Sequence, residues 1–387
     1  MSGALKRDEF DEVTVHSILD TSFWLMPATP EFIENGEVPY ITSKNIKNGL
    51  IDFENVKYIS SDIYKKISSN RPISVGDVLV SMIGTLGQVA VVTDNRDFYG
   101  QNVYLLRLNT DIIDRAYFCY YFESDRVQFE LQSKCNKSTQ SYIKANHVED
   151  LMLPLPPLDI QRQIADALDK VTELIDLRKK QLEKLDELVK ARFVELFGLP
   201  VSNSKKWDTE KMNDIAPAVN YSGDFEETVW LLNLDMVEAQ TGRIIDYLYV
   251  SENEVGNSTC TFDTSNVLYS KLRPYLNKVV IPDRCGYATS EMIPLKPNPS
   301  KIERTYLAFM LRSDEFVKMI NEKVAGAKMP RVSMSDFRDF NVPVPPMELQ
   351  KQFAAFIEQT DKSKVIIQQS LDTLETLKKS LMQEYFG

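Results

Sequence analysis

The sequence predicts an α+β chain: two mixed α/β domains in a pseudo-two-fold arrangement, joined by two long antiparallel coiled-coil helices. Three observations carry this reading. First, residues 151–198 and 340–387 are one segment written twice. LMLPLPPLDIQRQIADALDKVTELIDLRKKQLEKLDELVKARFVELFG and FNVPVPPMELQKQFAAFIEQTDKSKVIIQQSLDTLETLKKSLMQEYFG align without a gap at an offset of 189, with 13 identities over 48 positions. Second, both copies carry a heptad pattern. Third, the stretch before each copy is rich in short β-branched and aromatic runs. Two long copies do not make a solenoid. They make a molecule with approximate two-fold symmetry.

The stretches at about 1–150 and 200–339 are each read as a mixed domain with a curved sheet. Val78-Leu79-Val80, Val89–Val92, Val103–Leu106, Val267–Tyr269 and Lys278–Ile281 read as strands, punctuated by turns at Asn95, Gly100, Pro282 and Gly286. Helices follow near Arg115–Gln132 and Ile302–Lys323. The offset of 189 extends here: GDVLVSMIGTLGQVAVVTD (76–94) aligns with SNVLYSKLRPYLNKVVIPD (265–283), and Ser124-Asp125 with Ser313-Asp314. The domains are therefore duplicated along with the segments that follow them.

The repeated segments open with LPLPP and VPVPP, which are extended because proline biases its predecessor away from helix. A helix should start near Leu158 and near Met347. In the first copy Ile164, Leu168, Val171, Ile175, Arg178, Leu182, Leu185, Val189, Arg192 and Leu196 fall at 4,3 spacing. Phe353, Ile357, Thr360, Lys364, Ile367, Leu371, Leu374, Lys378, Leu381 and Tyr385 do so in the second. This is a coiled-coil seam on helices of about 40 residues, roughly 60 Å long. Gly198 is the expected stop of the first. The polar seam residues differ between copies, which favours two helices complementing each other within one chain. The alternative is that each helix packs on its own domain.

Composition excludes several function classes. The N-terminus MSGALKRDEFDEV lacks an apolar run and does not read as a signal peptide. The longest apolar stretch, Val78 to Val92, is too short and too polar to span a membrane. Cys119, Cys135, Cys260 and Cys285 form no CxxC pair and read as reduced thiols of a cytoplasmic protein. His16 and His147 are the only histidines, so a zinc site or a histidine-based triad is not expected. There is no GxxxxGK[ST] loop and no Asn/Asp-Pro-Pro-aromatic tetrapeptide of amino-methylating enzymes. Gly84-Thr85-Leu86-Gly87 reads as a turn. Asp8-Glu9 and Glu226-Glu227 read as solvated surface. No site able to do chemistry is expected.

Binding loops stand out instead. The net charge of −11 argues against nucleic acid, but the field at the contact surface decides. KCNKSTQSYIKANH (134–147) carries three lysines and no acid, with Lys134, Lys137, Thr139, Gln140, Tyr142 and Lys144 as candidate contacts. Its partner at the offset, KVAGAKMPRVSMSD (323–336), offers Lys323, Lys328 and Arg331. A second loop pair offers Ser81, Thr85 and Gln88 in SMIGTLGQ, and Ser270, Lys271, Arg273, Tyr275, Asn277 and Lys278 in SKLRPYLNK. Lys44 and Asn45, in PYITSKNIKNGLIDF, complete the set. Basic, polar loops on rigid domains suit phosphate contacts and base-edge readout. The plainer reading is solvated loops of ordinary lysine content; recurrence of both loop types in both halves favours binding.

LPLPPLDIQRQIA and VPVPPMELQKQFA, each opening a long helix that ends in Phe-Gly, together with KSTQSYIKANHVEDL and KMPRVSMSDFRDF before them, resemble the specificity subunits of type I restriction–modification systems over the whole chain. The resemblance implies target-recognition domains at 1–150 and 200–339 and helical spacers at 151–199 and 340–387. It implies that each domain reads one half of a split site on double-stranded DNA. The spacers, through blocks including Pro156, Pro157, Gln161, Gln163, Pro345, Pro346, Gln350 and Gln352, would set the gap and dock two methyltransferase subunits. Restriction and translocase subunits would be further partners. S-adenosylmethionine and ATP would bind those partners, with no cofactor in this chain and no membrane contact. Three other readings stay open: a stand-alone DNA methyltransferase, a coiled-coil adaptor that touches no DNA, and an inactive or phase-variable specificity subunit.

Overall fold

The computed structural model describes residues 10–34, 36–47, 49–84, 86–135, 141–324 and 329–387. The chain divides into two compact units, Met1–Lys179 with Gln369–Gly387 (unit 1) and Lys180–Gln368 (unit 2). Among the described residues, no helix is long and apolar enough to cross a membrane.

Unit 1 holds a four-stranded antiparallel sheet in the order Leu19–Leu25, Val103–Leu108, Val78–Ser81, Val89–Val91. A three-stranded sheet packs on it, with Val38–Thr42 between Lys57–Ile59 and Tyr99–Gln101. Side chains alternate along the shared strands. Leu79, Val103 and Leu105 face the three-stranded sheet, while Val78, Val80, Tyr104 and Leu106 face the helices. A strand buried on both faces needs apolar residues at every position, which is why Val78–Ser81 is wholly buried. Two packed sheets thus replace the single curved sheet expected from sequence.

Unit 2 repeats the plan. Its four-stranded sheet runs Leu248–Ser251, Thr228–Leu232, Gly286–Thr289, Thr259–Phe262, and its three-stranded sheet Val279–Val280, Val267–Ser270, Met292–Leu295. Val267, Tyr269 and Ile293 face the helices; Leu268, Val280 and Met292 face the other sheet.

Each stretch expected as one helix is two. Arg115–Glu123 and Asp125–Ser133 break at Ser124; Arg304–Arg312 and Asp314–Lys323 break at Ser313. Both serines are extended and accept a hydrogen bond from the backbone N–H three residues on. The repeated Ser-Asp pair is therefore an N-cap followed by an acid that complements the helix dipole.

The long helices are Leu158–Phe197 and Met347–Phe386, 40 residues each, starting where the prolines predict. Gly198 takes φ +75° and ends the first. All twenty predicted seam positions are buried or half-buried. Within each unit the helices run antiparallel. In unit 1 Arg178 Nε donates to Ser370 Oγ at 3.2 Å and Lys179 pairs with Glu375, while Ile164 and Leu168 share a core with Leu381 and Phe386. In unit 2 Lys364 pairs with Asp186 at 2.5 Å, while Phe193 and Phe197 meet Phe353. Of the polar seam residues, Arg178 and Lys364 reach off-seam partners on the facing helix, Ser370 and Asp186, whereas Arg192 pairs with Glu195 and Thr360 donates to Phe356 O within their own helices. Each helix also packs against folded domains at its ends, so the alternative arrangement is partly realised as well. Phe386, last but one in the chain, lies in unit 1 with its ring 5.1 Å from Tyr117; Phe197 lies in unit 2, 4.6 Å from Tyr306.

The glutamine of each proline block is a buried latch. Gln161 Nε2 donates to Ile112 O (3.0 Å) and Pro156 O (2.8 Å), and its Oε1 accepts from Asp114 N (2.8 Å). Gln350 Nε2 donates to Lys301 O (3.1 Å) and Pro345 O (2.7 Å), and its Oε1 accepts from Glu303 N (2.8 Å). All three partners recur at the offset of 189. Tyr117 and Tyr306 likewise donate to Pro154 O and Pro343 O, each at 2.9 Å. These bonds fix the extended proline lead and the start of the long helix to the helical layer of the same unit.

Candidate nucleic-acid interface

In each unit the fold brings the two candidate loops together. In unit 1 Ile83 and Tyr142 form an antiparallel bridge, with Ile143 N donating to Met82 O (3.0 Å) and Gly84 N to Ser141 O (3.2 Å). In unit 2 Leu272 and Arg331 form the same bridge, with Val332 N donating to Lys271 O (2.9 Å) and Arg273 N to Pro330 O (2.8 Å). Every one of these contacts is conserved at the offset of 189. Gly84 and Arg273 even share a positive φ, +82° and +49°. The backbone is one scaffold; the side chains on it differ. Tyr142 stands where unit 2 has Arg331, and Gly84 where it has Arg273.

Several predicted contacts are engaged in building this scaffold. Ser81 is fully buried and its Oγ accepts from Gln88 N. Ser270 is buried and its Oγ donates to Leu272 O. Asn277, at φ +49°, is buried and donates to Arg312 O; Lys278 donates to Leu234 O at 2.6 Å, and burial lowers its pKa. Asn45 holds the turn at Thr42 and donates to Asp52 O. All five side chains are engaged within the fold, with Ser81, Ser270 and Asn277 buried and Asn45 and Lys278 half-buried. Pro156, Pro345, Gln161 and Gln350 are buried as well. Pro157, Gln163, Pro346 and Gln352 are exposed. Thr85, Lys137, Thr139, Gln140 and Lys328 lie outside the described residues.

The remaining candidates present charge or aromatic surface. Lys44, Lys134, Lys144, Arg273, Lys323 and Arg331 are exposed, as is Tyr275, while Gln88, Tyr142 and Lys271 are half-buried. Lys134 pairs with Glu130 at 2.6 Å, an exposed contact that contributes little. In unit 1 burial lowers the pKa of His147, and Lys134 and Lys144 lower it further against the opposing pull of Asp150. In unit 2 Lys323, Arg331 and Ser333 line a shallow cleft of about 250 Å³. Arg331 is held by Glu291 at 2.6 Å. Glu291 was missed from sequence, because its counterpart at the offset is Asn102 and nothing repeats. Among the described residues, no group of His, Cys, Asp and Glu could hold a metal ion.

The model of the type I restriction modification DNA specificity domain matches the chain twice, at residues 8–187 and 205–376. The chain belongs to this family. The two matched segments follow the duplication. Among relatives, the chain is 23% identical over 317 residues to the type I restriction enzyme EcoDI specificity subunit of Escherichia coli, covering 71% of this chain and 70% of that one. It is 24% identical over 375 residues to the putative MjaX specificity subunit of Methanocaldococcus jannaschii, covering 89% and 85%. Solved structures agree in fold. The type I restriction–modification S subunit from M. genitalium matches with a TM-score of 0.58 at 17% identity, over 98% of this chain and 96% of that chain. A chain from a study of complex assembly and conformational transition of a type I system matches with a TM-score of 0.61 at 15% identity, over 97% of each.

Proposed function

We propose that this specificity-family chain reads a split site on double-stranded DNA and contributes recognition, while methylation and cleavage belong to partner subunits. Target-recognition domains at 1–150 and 200–339 each read one half-site, and spacers at 151–199 and 340–387 set the gap. The observation that carries this is the loop pair of each unit, built on one backbone scaffold but bearing different side chains. Conserved scaffolding with divergent side chains is what two readers of different sequences require. The exposed lysines and arginines supply phosphate contacts.

Partner docking falls to the exposed faces of the spacers. Leu174, Leu177 and Leu377 in unit 1, and Leu188, Val365 and Ile366 in unit 2, are exposed apolar residues off the seam. With Pro157, Gln163, Pro346 and Gln352 they offer surface for two methyltransferase subunits, which would carry S-adenosylmethionine; restriction subunits would carry ATP.

Sequencing methylated adenines in DNA from cells expressing this chain with its modification subunits tests the reading. The expected result is a motif of two defined halves separated by a fixed unspecified gap. A continuous motif, or methylation that does not change when this chain is removed, contradicts it.

The lysines beside His147 give a spectroscopic prediction. Free His147 should titrate below the ordinary histidine range. Phosphates brought up to Lys134 and Lys144 offset their repulsion, so DNA binding should raise the His147 pKa, read by NMR of the imidazole. An unchanged value on saturation with DNA removes this loop from the interface.

A further inference from the structure

We infer that the half-site read by unit 2 contains a guanine, recognised by Arg331 with Glu291 as its positioning residue. This rests on the proposed DNA-reading role and goes beyond it by naming a base.

The two arginines of the unit 2 loop pair are held in opposite ways. Arg331 sits in the bridge with Leu272, so its backbone is fixed, and its Nη2 donates to Glu291 Oε1 at 2.6 Å. The Arg331 side chain is 59% exposed while Glu291 is only 19% exposed, so the carboxylate anchors the near side of the guanidinium and leaves the far side open. Glu291 is itself fixed, since its backbone O accepts from Lys271 N at 3.0 Å. Its Oε2 is enclosed without a hydrogen-bond partner among the described residues, which leaves Arg331 as the group the carboxylate serves.

A pre-oriented guanidinium presents two parallel donors at low entropic cost. In the major groove the edge that accepts two such donors is guanine, through O6 and N7; adenine pairs N7 with a donor, and thymine pairs O4 with a methyl. The Arg331–Glu291 pair is also close to neutral as a unit, and the carboxylate repels phosphate. Directional donors without net charge suit a base edge, not the backbone.

Arg273 is the contrast. It is exposed, stands at left-handed φ +49°, and its side chain makes no hydrogen bond or ion pair among the described residues. A free, fully charged cation beside the same loop suits a phosphate. Unit 1 has Tyr142, Asn102 and Gly84 at the three equivalent positions, so the guanine reading belongs to one half-site only.

The test uses the full chain assembled with its modification subunits and DNA carrying single base-pair changes in each half-site. R331A should lose roughly 5- to 150-fold of discrimination at one G·C pair in one half-site, with the salt dependence of binding nearly unchanged. R331K, which keeps the charge but not the fork, should lose the same discrimination, and this controls for folding. E291Q should reduce discrimination at that base pair while making binding steeper in salt. R273A should weaken all sites alike and lower the slope of log K against log salt by about 1. If R331A instead weakens every sequence equally with the slope falling by about 1, or if no base pair responds to R331A and R331K, the inference is overturned while the split-site reading stands. If the wild-type complex reads no split site, the underlying reading fails first.

Discussion

Replacing Phe386 with alanine should lower the stability of unit 1 by about 3–5 kcal/mol, the range for removing a large aromatic from a packed core. Phe386 is fully buried although it is one residue from the end of the sequence. Its ring lies 5.1 Å from Tyr117 and 6.2 Å from Tyr121. Tyr117 donates to Pro154 O, so the loss reaches the proline lead of the first long helix. A folded domain holds only about 5–15 kcal/mol in total, and the cavity opens where Ile164, Leu168 and Phe386 share one core. Denaturant unfolding followed by limited proteolysis checks this. The prediction is early cleavage in unit 1 with unit 2 protected. The mirror variant, F197A, should expose unit 2 instead, because Phe197 packs on Tyr306 and Phe353 there. Equal loss in both units, or none, would count against the assignment of each helix end to its core.

The second large effect is expected from Gln161→Leu. The change keeps the bulk of the side chain but leaves the carbonyls of Ile112 and Pro156 and the N–H of Asp114 without their partner. The bond to Pro156 O is buried and the other two are partly so; a buried group left unpaired costs about 1–3 kcal/mol, so the variant should lose about 1–3 kcal/mol. Asp114 also caps the next helix by accepting from Tyr117 N, so hydrogen exchange at Asp114 and Tyr117 should accelerate together. Gln350→Leu should do the same at Glu303, which accepts from Tyr306 N. A loss below about 0.5 kcal/mol, the range of neutral surface changes, would mean that the latch is not structural.

These two sites show where the sequence was legible. The long helices, their starts and their seam could be read because heptad spacing and proline act locally, within a turn or two of the residue concerned. The equivalence of loops between the halves could be read because a constant offset links Ile83 to Leu272 and Tyr142 to Arg331, but the bridge between the two loops of one half could not. Burial of Gln161 could not. A glutamine in the first turn of a helix reads as surface, and two of its three partners lie 47 and 49 residues away. Ser81 and Ser270 looked like contacts because a serine in a basic loop is polar by type, whereas tight backbone turns engage both hydroxyls. The second sheet of each unit was hidden for a different reason. Alternation disappears when both faces of a strand are buried, and an unbroken apolar run does not say how many sheets it serves. Glu291 had no local sign either, since a positioning residue repeats only where the side chain it positions also repeats.

The central claim is that the helices set the distance between two independent readers. It is tested most directly by inserting seven residues after Lys179 and seven after Gln368, where the units meet in sequence, and sequencing the adenines methylated by the assembled complex. A heptad preserves the phase of the seam and adds about 10 Å to each helix, the length of about 3 base pairs. The predicted result is the same two half-sites with a gap longer by about 3 base pairs. An unchanged gap, or altered half-sites, would contradict the account.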